Sequence, residues 1–81
     1  MIYKTKGTCS EEIHLEVENG LIKDVKFIKG CPGNLFGIGE LAKGRTPQEV
    51  IERFSGIKCG QKQTSCPDQL AQALRSLTQN P

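Results

Sequence analysis

The chain of 81 residues has no tryptophan, and aromatic residues make up only 5% of it. With 36% hydrophobic residues, it has material for one thin core and no room for a second, so residues 1–81 are expected to form a single domain. Domains of this size bury only about 60% of the surface that the unfolded chain exposes, and many rely on a disulfide, a metal or a partner subunit. The length excludes a large enzyme.

Long apolar runs and a strong charge of one sign are also missing. No segment approaches the roughly 20 apolar residues that span a bilayer, and the first residues lack the apolar centre of a signal peptide. Eleven basic and nine acidic side chains give a net charge of +2, far from the clustered positive charge of a dedicated nucleic-acid-binding domain. We therefore expect a cytosolic protein with neither a membrane nor a nucleic acid as partner.

The first third of the chain has the pattern of a β-hairpin. Apolar and polar residues alternate over residues 13–17, and Asn19-Gly20 marks the turn. A three-residue loop with Gly20 in the left-handed conformation would pair Val17 with Leu21. That register makes one face apolar apart from Lys23. The inward residues would be Ile13, Leu15, Val17, Leu21, Val25 and Phe27. Ile22 and Ile28 would then lie on the opposite face, which suggests a surface covered by a partner, such as a second copy in a homodimer.

Three helices are predicted after the strands. The first ends at Gly44, the second begins at the capping box of residues 46–49 and ends at Gly56, and the third begins at a similar box at residues 65–68. Together with a short strand near residues 2–6, the pattern predicts an α+β domain. Its architecture would be a small antiparallel sheet of about three strands, followed by three helices packed on one face.

The four cysteines are the candidates for reinforcing the thin core, although no two of them form a C-x-x-C pair. In a reducing cytosol such a set indicates metal ligands or redox-active thiols rather than structural disulfides. Four thiolates suit a tetrahedral zinc ion or an iron–sulfur cluster, and the spacing does not separate these two cofactors. The predicted metal ligands are Cys9, Cys31, Cys59 and Cys66. A reversible Cys59–Cys66 disulfide is the redox alternative.

The predicted fold brings these cysteines toward one place. In the register above, Cys9 lies opposite Lys29 and Cys31 lies one pair beyond, so both thiols are at the same end of the hairpin. Cys31 directly precedes the first helix and Cys66 lies in the first turn of the last helix, where the helix dipole stabilises a thiolate. Cys59, in the loop before that last helix, is close enough in sequence to reach it.

Two short segments carry a family resemblance. Residues 64–68 read TSCPD and residues 30–34 read GCPGN, and with the length and the four cysteines they resemble the small members of the TSCPD domain family over nearly the whole chain. That family is similar to a C-terminal domain of adenosylcobalamin-dependent ribonucleotide reductases, for which a zinc-binding role is supposed. The resemblance implies an accessory domain whose protein partner is such a reductase or another radical enzyme. The reductase reaction needs a large barrel, so a reductase label would be inherited, and no catalytic residue is predicted.

A more distant resemblance links the chain to iron–sulfur cluster scaffold proteins. Their Cys-x-Asp, Gly-Cys, Lys-Gly-Lys/Arg-Ser/Thr and His-Cys segments correspond to residues 9–11, 30–31, 43–46 and 65–66. This resemblance implies a scaffold-like fold and, as the alternative function, a cluster carrier or scaffold. However, Glu11 and Ser65 stand where those proteins use an aspartate and a histidine to hold a labile cluster. A fourth thiolate instead favours a closed, permanent site.

Overall fold

Three strands are followed by three helices in a computed structural model that describes residues 1–79. The strands are β1 (Ile2–Lys4), β2 (Glu12–Glu18) and β3 (Leu21–Ile28), and they form an antiparallel sheet in the order β1-β2-β3. The helices are α1 (Pro32–Ala42), α2 (Pro47–Phe54) and α3 (Cys66–Gln79). The predicted α+β class is confirmed.

The hairpin between β2 and β3 has a different register from the predicted one. Glu18 pairs with Leu21, which leaves a turn of two residues, Asn19 and Gly20, with φ values of 54° and 78°. Both values lie in the left-handed region, which asparagine tolerates better than most residues, and they are typical of the type I′ turn that suits the twist of a hairpin. The predicted three-residue loop, with Val17 opposite Leu21, is therefore wrong.

A β-bulge restores the apolar face that a two-residue turn would otherwise disrupt. β3 has one extra residue, Lys23, between two pairs of the ladder, so the register shifts by one residue there. Beyond the bulge Leu15 pairs with Val25, and Ile13 pairs with Phe27. The predicted register instead places Leu15 opposite Lys23 and Ile13 opposite Val25, so the observed partners lie two residues further along β3.

The turn and the bulge exchange the roles of two neighbouring apolar residues. Ile22 is only 1% exposed and belongs to the core, whereas the Leu21 side chain is 44% exposed. The prediction that Leu21 is inside and Ile22 on the opposite face is wrong for this reason. Ile28 is half-buried. The homodimer stays a prediction, but Ile22 no longer supports a partner-covered face.

The helices begin with the expected capping groups. The Thr46 hydroxyl accepts a hydrogen bond from the backbone N–H of Glu49 at 3.2 Å, as the capping box predicts for α2. The glycines after α1 and α2, Gly44 and Gly56, have φ values of 83° and 85°, which lie in the left-handed region that glycine adopts without strain. The predicted helix ends are confirmed.

All three helices contribute to one core against the sheet. The buried apolar residues of this core are Ile13, Leu15, Ile22, Val25, Ala42, Val50, Ile51, Leu70, Ala73 and Leu74. α1 approaches β3 so closely that a Cβ atom at Gly39 would lie 2.9 Å from the Val25 carbonyl oxygen, which explains the glycine inside a helix. Within residues 1–79, no helix has the length and hydrophobicity needed to cross a membrane.

Candidate functional site

Residues 64–68 build the beginning of α3. Cys66 is the first helical residue and is buried. The hydroxyl of Ser65, the preceding residue, accepts a hydrogen bond from the Asp68 N–H at 3.1 Å and donates one to the Ile57 carbonyl at 2.7 Å. Ser65 therefore caps α3 and also fixes the loop that precedes the helix.

The Asp68 carboxylate is buried and accepts three hydrogen bonds. The donors are the Gly56 N–H at 2.7 Å, the Gln72 side-chain amide at 2.9 Å and the Thr64 hydroxyl. Burial by itself raises the pKa of Asp68, but these hydrogen bonds, with a smaller contribution from the charge of Arg75, outweigh it and lower the pKa. The predicted capping box is thus half confirmed, because the carboxylate binds the end of α2 and Thr64 instead of the Ser65 N–H.

Gln69 connects α3 to the loop of residues 5–11 between β1 and β2. Its side-chain carbonyl accepts a hydrogen bond from the Lys6 N–H at 3.1 Å, and its amide donates to the Thr64 hydroxyl at 2.9 Å. The Thr5 N–H donates to the Glu11 carbonyl across the loop at 3.0 Å. These contacts hold the loop that carries Cys9 against the first turn of α3.

Two of the four cysteines meet at this junction. The Sγ atoms of Cys9 and Cys66 are 3.8 Å apart, although 57 positions separate the residues in the sequence. The Ser10 hydroxyl lies 3.3 Å from the Cys66 Sγ atom, and the Thr8 and Ser10 hydroxyl oxygens are 3.2 Å apart. Cys9 is exposed and Cys66 is buried. The junction is therefore a pair of thiols, one open to solvent and one enclosed, beside two hydroxyl groups.

The environment of Cys66 favours the thiolate. Burial raises the pKa of this thiol, but hydrogen bonds from the hydroxyl and backbone of Ser10, and then from Thr8 and Cys9, outweigh burial and lower the pKa. The sequence predicted a stabilised thiolate from the helix start alone. It missed Ser10 and Thr8, whose position on either side of Cys9 in the sequence is the signal that could have found them.

Cys31 lies near this junction without joining the thiol pair. It is exposed at the cap position of α1, makes no side-chain capping hydrogen bond, and offers its carbonyl to the Leu35 N–H at 3.0 Å. The preceding Gly30 borders Cys9, because a Cβ atom there would lie 3.3 Å from the Cys9 Sγ atom. The two cysteines thus share one end of the hairpin, as predicted.

The predicted pairing of Cys9 with Lys29 is wrong. The β2–β3 ladder ends at the pair Glu12 and Ile28, in the shifted register. Cys9 therefore lies beyond the ladder, in the loop of residues 5–11, where it borders Gly30 instead.

Cys59 lies in the exposed turn before α3. Its N–H donates to the Thr64 carbonyl at 3.1 Å, and its carbonyl accepts from the Lys62 N–H at 3.0 Å. Among the described residues, 1–79, no group of three or more histidine, cysteine, aspartate or glutamate side chains is arranged to hold a metal ion. The structure therefore brings Cys9 and Cys66 together but does not place Cys31 and Cys59 in one ligand group with them. The thiol that contacts Cys66 is that of Cys9, whereas the redox alternative pairs Cys66 with Cys59.

Comparison with known proteins gives a match to one family model. The family model described as the TSCPD domain matches residues 1–78, a range that contains all four cysteines and the capped start of α3. Neither the curated proteins nor the solved structures gave a match.

Proposed function

The chain belongs to the TSCPD domain family, as its sequence predicted, and from this premise we propose that it is a small zinc-binding accessory domain. The four thiolates of Cys9, Cys31, Cys59 and Cys66 would hold the ion. Binding a protein partner, rather than catalysis, would be its role. By the family resemblance, the partner would be a ribonucleotide reductase or another radical enzyme.

The Cys9–Cys66 distance carries the proposal. Zinc–sulfur bonds are about 2.3 Å long, so two sulfur atoms bound to one tetrahedral zinc ion lie about 3.8 Å apart. The Sγ atoms of Cys9 and Cys66 have this separation. This separation would suit two of the four proposed ligands on one zinc ion, and the Ser10 hydroxyl, 3.3 Å from the Cys66 Sγ atom, would then be a hydrogen-bond partner outside the ligand set.

The other two ligands would come from exposed segments, one beside Cys9 and one in the turn before α3. Cys31 directly follows Gly30, which borders the Cys9 thiol, and Cys59 lies in a turn whose ends are joined by the Ile57–Ser65 hydrogen bond. A metal ion held by all four would connect the hairpin end, the turn before α3 and the first turn of α3. Because Cys9, Cys31 and Cys59 are exposed, the ion would tie outer segments to the buried Cys66 and add stability that the thin core does not provide.

Zinc is favoured over an iron–sulfur cluster by two positions that differ from the scaffold pattern. Glu11 forms an ion pair with Lys29 at 3.4 Å, and the Ser65 hydroxyl is occupied by its bonds to the Asp68 N–H and the Ile57 carbonyl. Both positions therefore have structural partners here. What is left is an all-sulfur donor set. It suits a permanent site, for which we propose zinc, rather than a labile cluster that is held and released.

Metal content and the visible spectrum test the proposal. The chain would be purified without oxygen from cells supplied with both iron and zinc. One zinc ion per chain without visible absorption supports it, whereas iron with sulfide and a charge-transfer band would replace it by a cluster carrier or scaffold. Cys9→Ser and Cys66→Ser should lose the ion. Gln61→Ser, an exposed substitution in the same turn as Cys59, serves as the control and should keep it.

The accessory role needs a separate experiment. The zinc-loaded chain would be titrated into a purified adenosylcobalamin-dependent ribonucleotide reductase, with binding followed by calorimetry. Binding that is lost together with zinc in Cys66→Ser supports the role. A zinc-loaded chain that does not bind contradicts this partner and leaves the metal site untouched.

A further inference from the structure

We propose that Cys9 and Cys66 also form a redox-active dithiol, which a peroxide converts reversibly into an intramolecular disulfide. The observation behind this inference is the contact between their Sγ atoms at 3.8 Å. The inference concerns two of the proposed zinc ligands but does not require that zinc binds.

The geometry assigns different tasks to the two thiols. Cys66 is 7% exposed, and its backbone is fixed by the capped first turn of α3. Cys9 is exposed on the loop of residues 5–11 and is open to a small reagent. A disulfide bond is about 2.05 Å long, so the sulfur atoms must approach by about 1.8 Å. Rotation of the exposed Cys9 side chain away from Gly30, against which its Sγ atom lies, would supply that movement.

The reaction has two steps. In the first, the Cys9 sulfur attacks hydrogen peroxide, so an S–O bond forms, the O–O bond breaks and one water leaves, giving a sulfenic acid. In the second, the Cys66 sulfur attacks the Cys9 sulfur, so the S–S bond forms, the S–O bond breaks and a second water leaves. Overall, two thiols and one peroxide give a disulfide and two waters, and two electrons pass from sulfur to oxygen. A small dithiol reverses the change by thiol–disulfide exchange.

This pairing differs from the one that sequence spacing favours. Cys59 is only seven positions from Cys66, but its backbone is bonded within its own turn, to Thr64 and Lys62, and the structure places Cys9 against Cys66. Burial limits the access of peroxide to Cys66, so the enclosed thiol acts as the resolving partner. Oxidation of this pair would also remove two of the four proposed zinc ligands. The same contact would thereby make metal binding depend on the redox state.

Mapping of tryptic peptides tests the pairing directly. Cleavage after lysine and arginine puts each cysteine on its own peptide, residues 7–23, 30–43, 59–62 and 63–75. The full chain, with and without zinc, would be treated with equimolar hydrogen peroxide, alkylated and digested. We expect peptides 7–23 and 63–75 to be joined, with the loss of two hydrogens from the intact mass and full reversal by dithiothreitol.

Cysteine variants complete the test. The cross-linked peptide should disappear in Cys9→Ser, an exposed substitution outside the core, and in Cys66→Ser, and it should persist in Cys59→Ser. A link between peptides 59–62 and 63–75 overturns the proposal, as does oxidation to sulfinic or sulfonic acids without a disulfide. Zinc content, measured on the same reduced samples, separates the two proposals. A cross-link in a chain that binds no zinc refutes only the metal site, and a zinc-binding chain that forms no cross-link after chelation refutes only the dithiol.

Discussion

A Cys-Pro dipeptide stands at the start of two helices, one helical position further out in α1 than in α3, and its surroundings differ. At the start of α3, Cys66-Pro67 follows the capping residue Ser65, and the thiol is buried against Cys9 and Ser10. At the start of α1, Cys31-Pro32 has the cysteine itself at the cap position, exposed and without a side-chain capping bond. A cysteine at a helix start is therefore not a site by itself. The segment packed against it determines what the thiol contacts.

The largest difference between the two starts should appear when each cysteine is replaced. If the proposed zinc site is correct, Cys66→Ser should release the ion from the zinc-loaded chain and lower the free energy of unfolding by about 3 kcal/mol or more, because it removes one of the two proposed ligands that are already in contact. Cys31→Ser should reduce zinc affinity but cost less stability, since its segment is exposed. Urea unfolding and metal analysis of both variants measure the difference. Equal losses would mean that the two starts contribute alike to the site.

The third helical residue tests the polar network of α3 against its counterpart in α1. Asp68→Ala leaves three donors without their acceptor, so we expect a loss of about 2–3 kcal/mol in the free energy of unfolding. Asn34→Ala at the same helical position of α1 changes an exposed side chain and should stay within about 0.5 kcal/mol. Urea unfolding measures both. A comparable loss for Asn34→Ala would show that the network is not specific to α3.

Acid should lower the free energy of unfolding, because the pKa of Asp68 at the start of α3 is lowered in the folded chain. The pKa of this carboxyl is lowered in the folded chain, so its stabilisation is complete above the ordinary aspartate pKa of about 3.9 and is lost as the pH falls through the folded value. The free energy of unfolding would be measured in chelator, between about pH 5 and pH 2, so that zinc release does not contribute. Asp68→Asn should show a shallower decline than the wild type. If the free energy of unfolding fell in parallel for both proteins, Asp68 would not be the group responsible for the loss.

The sequence predicted local features better than distant ones. The caps at Thr46 and Ser65 follow from residues within one helical turn, where the bonding partners are close in the chain. The bulge at Lys23 has no such signal. In a regular ladder a two-residue turn would put Asp24 and Lys26 on the face of Ile13 and Leu15, so the pattern favours the longer loop, and only the packing of Ile22 into the core shows that a bulge is present instead. The hairpin register therefore had to come from the structure.

In the candidate site, too, the sequence predicted the local features and missed the contacts between distant segments. The sequence identified the four cysteines and the helix starts that carry two of them. It did not identify Ser10 beside Cys66, because that contact spans 56 positions and depends on the loop that the Lys6–Gln69 hydrogen bond holds against α3. A contact of this kind arises from tertiary packing, which the spacing of cysteines does not encode.

The smallest expected effect is that of Cys31→Ser at the start of α1, which should stabilise the metal-free chain and destabilise the zinc-loaded one. Cysteine is a poor capping residue and Cys31 makes no capping bond, whereas a serine hydroxyl can accept a backbone N–H of the first turn. In the metal-free chain, Cys31→Ser should therefore raise the free energy of unfolding by about 0.5–1 kcal/mol, although the same substitution weakens the zinc-loaded form. Ser65→Ala, which removes the existing cap of α3, should lower it by about 1 kcal/mol and is the matched comparison. Urea unfolding, once with chelator and once with zinc, measures the change in the free energy of unfolding for both forms. If Cys31→Ser destabilised the metal-free chain as well, the exposed thiol would have a structural role of its own, and the contrast between the two helix starts would fail.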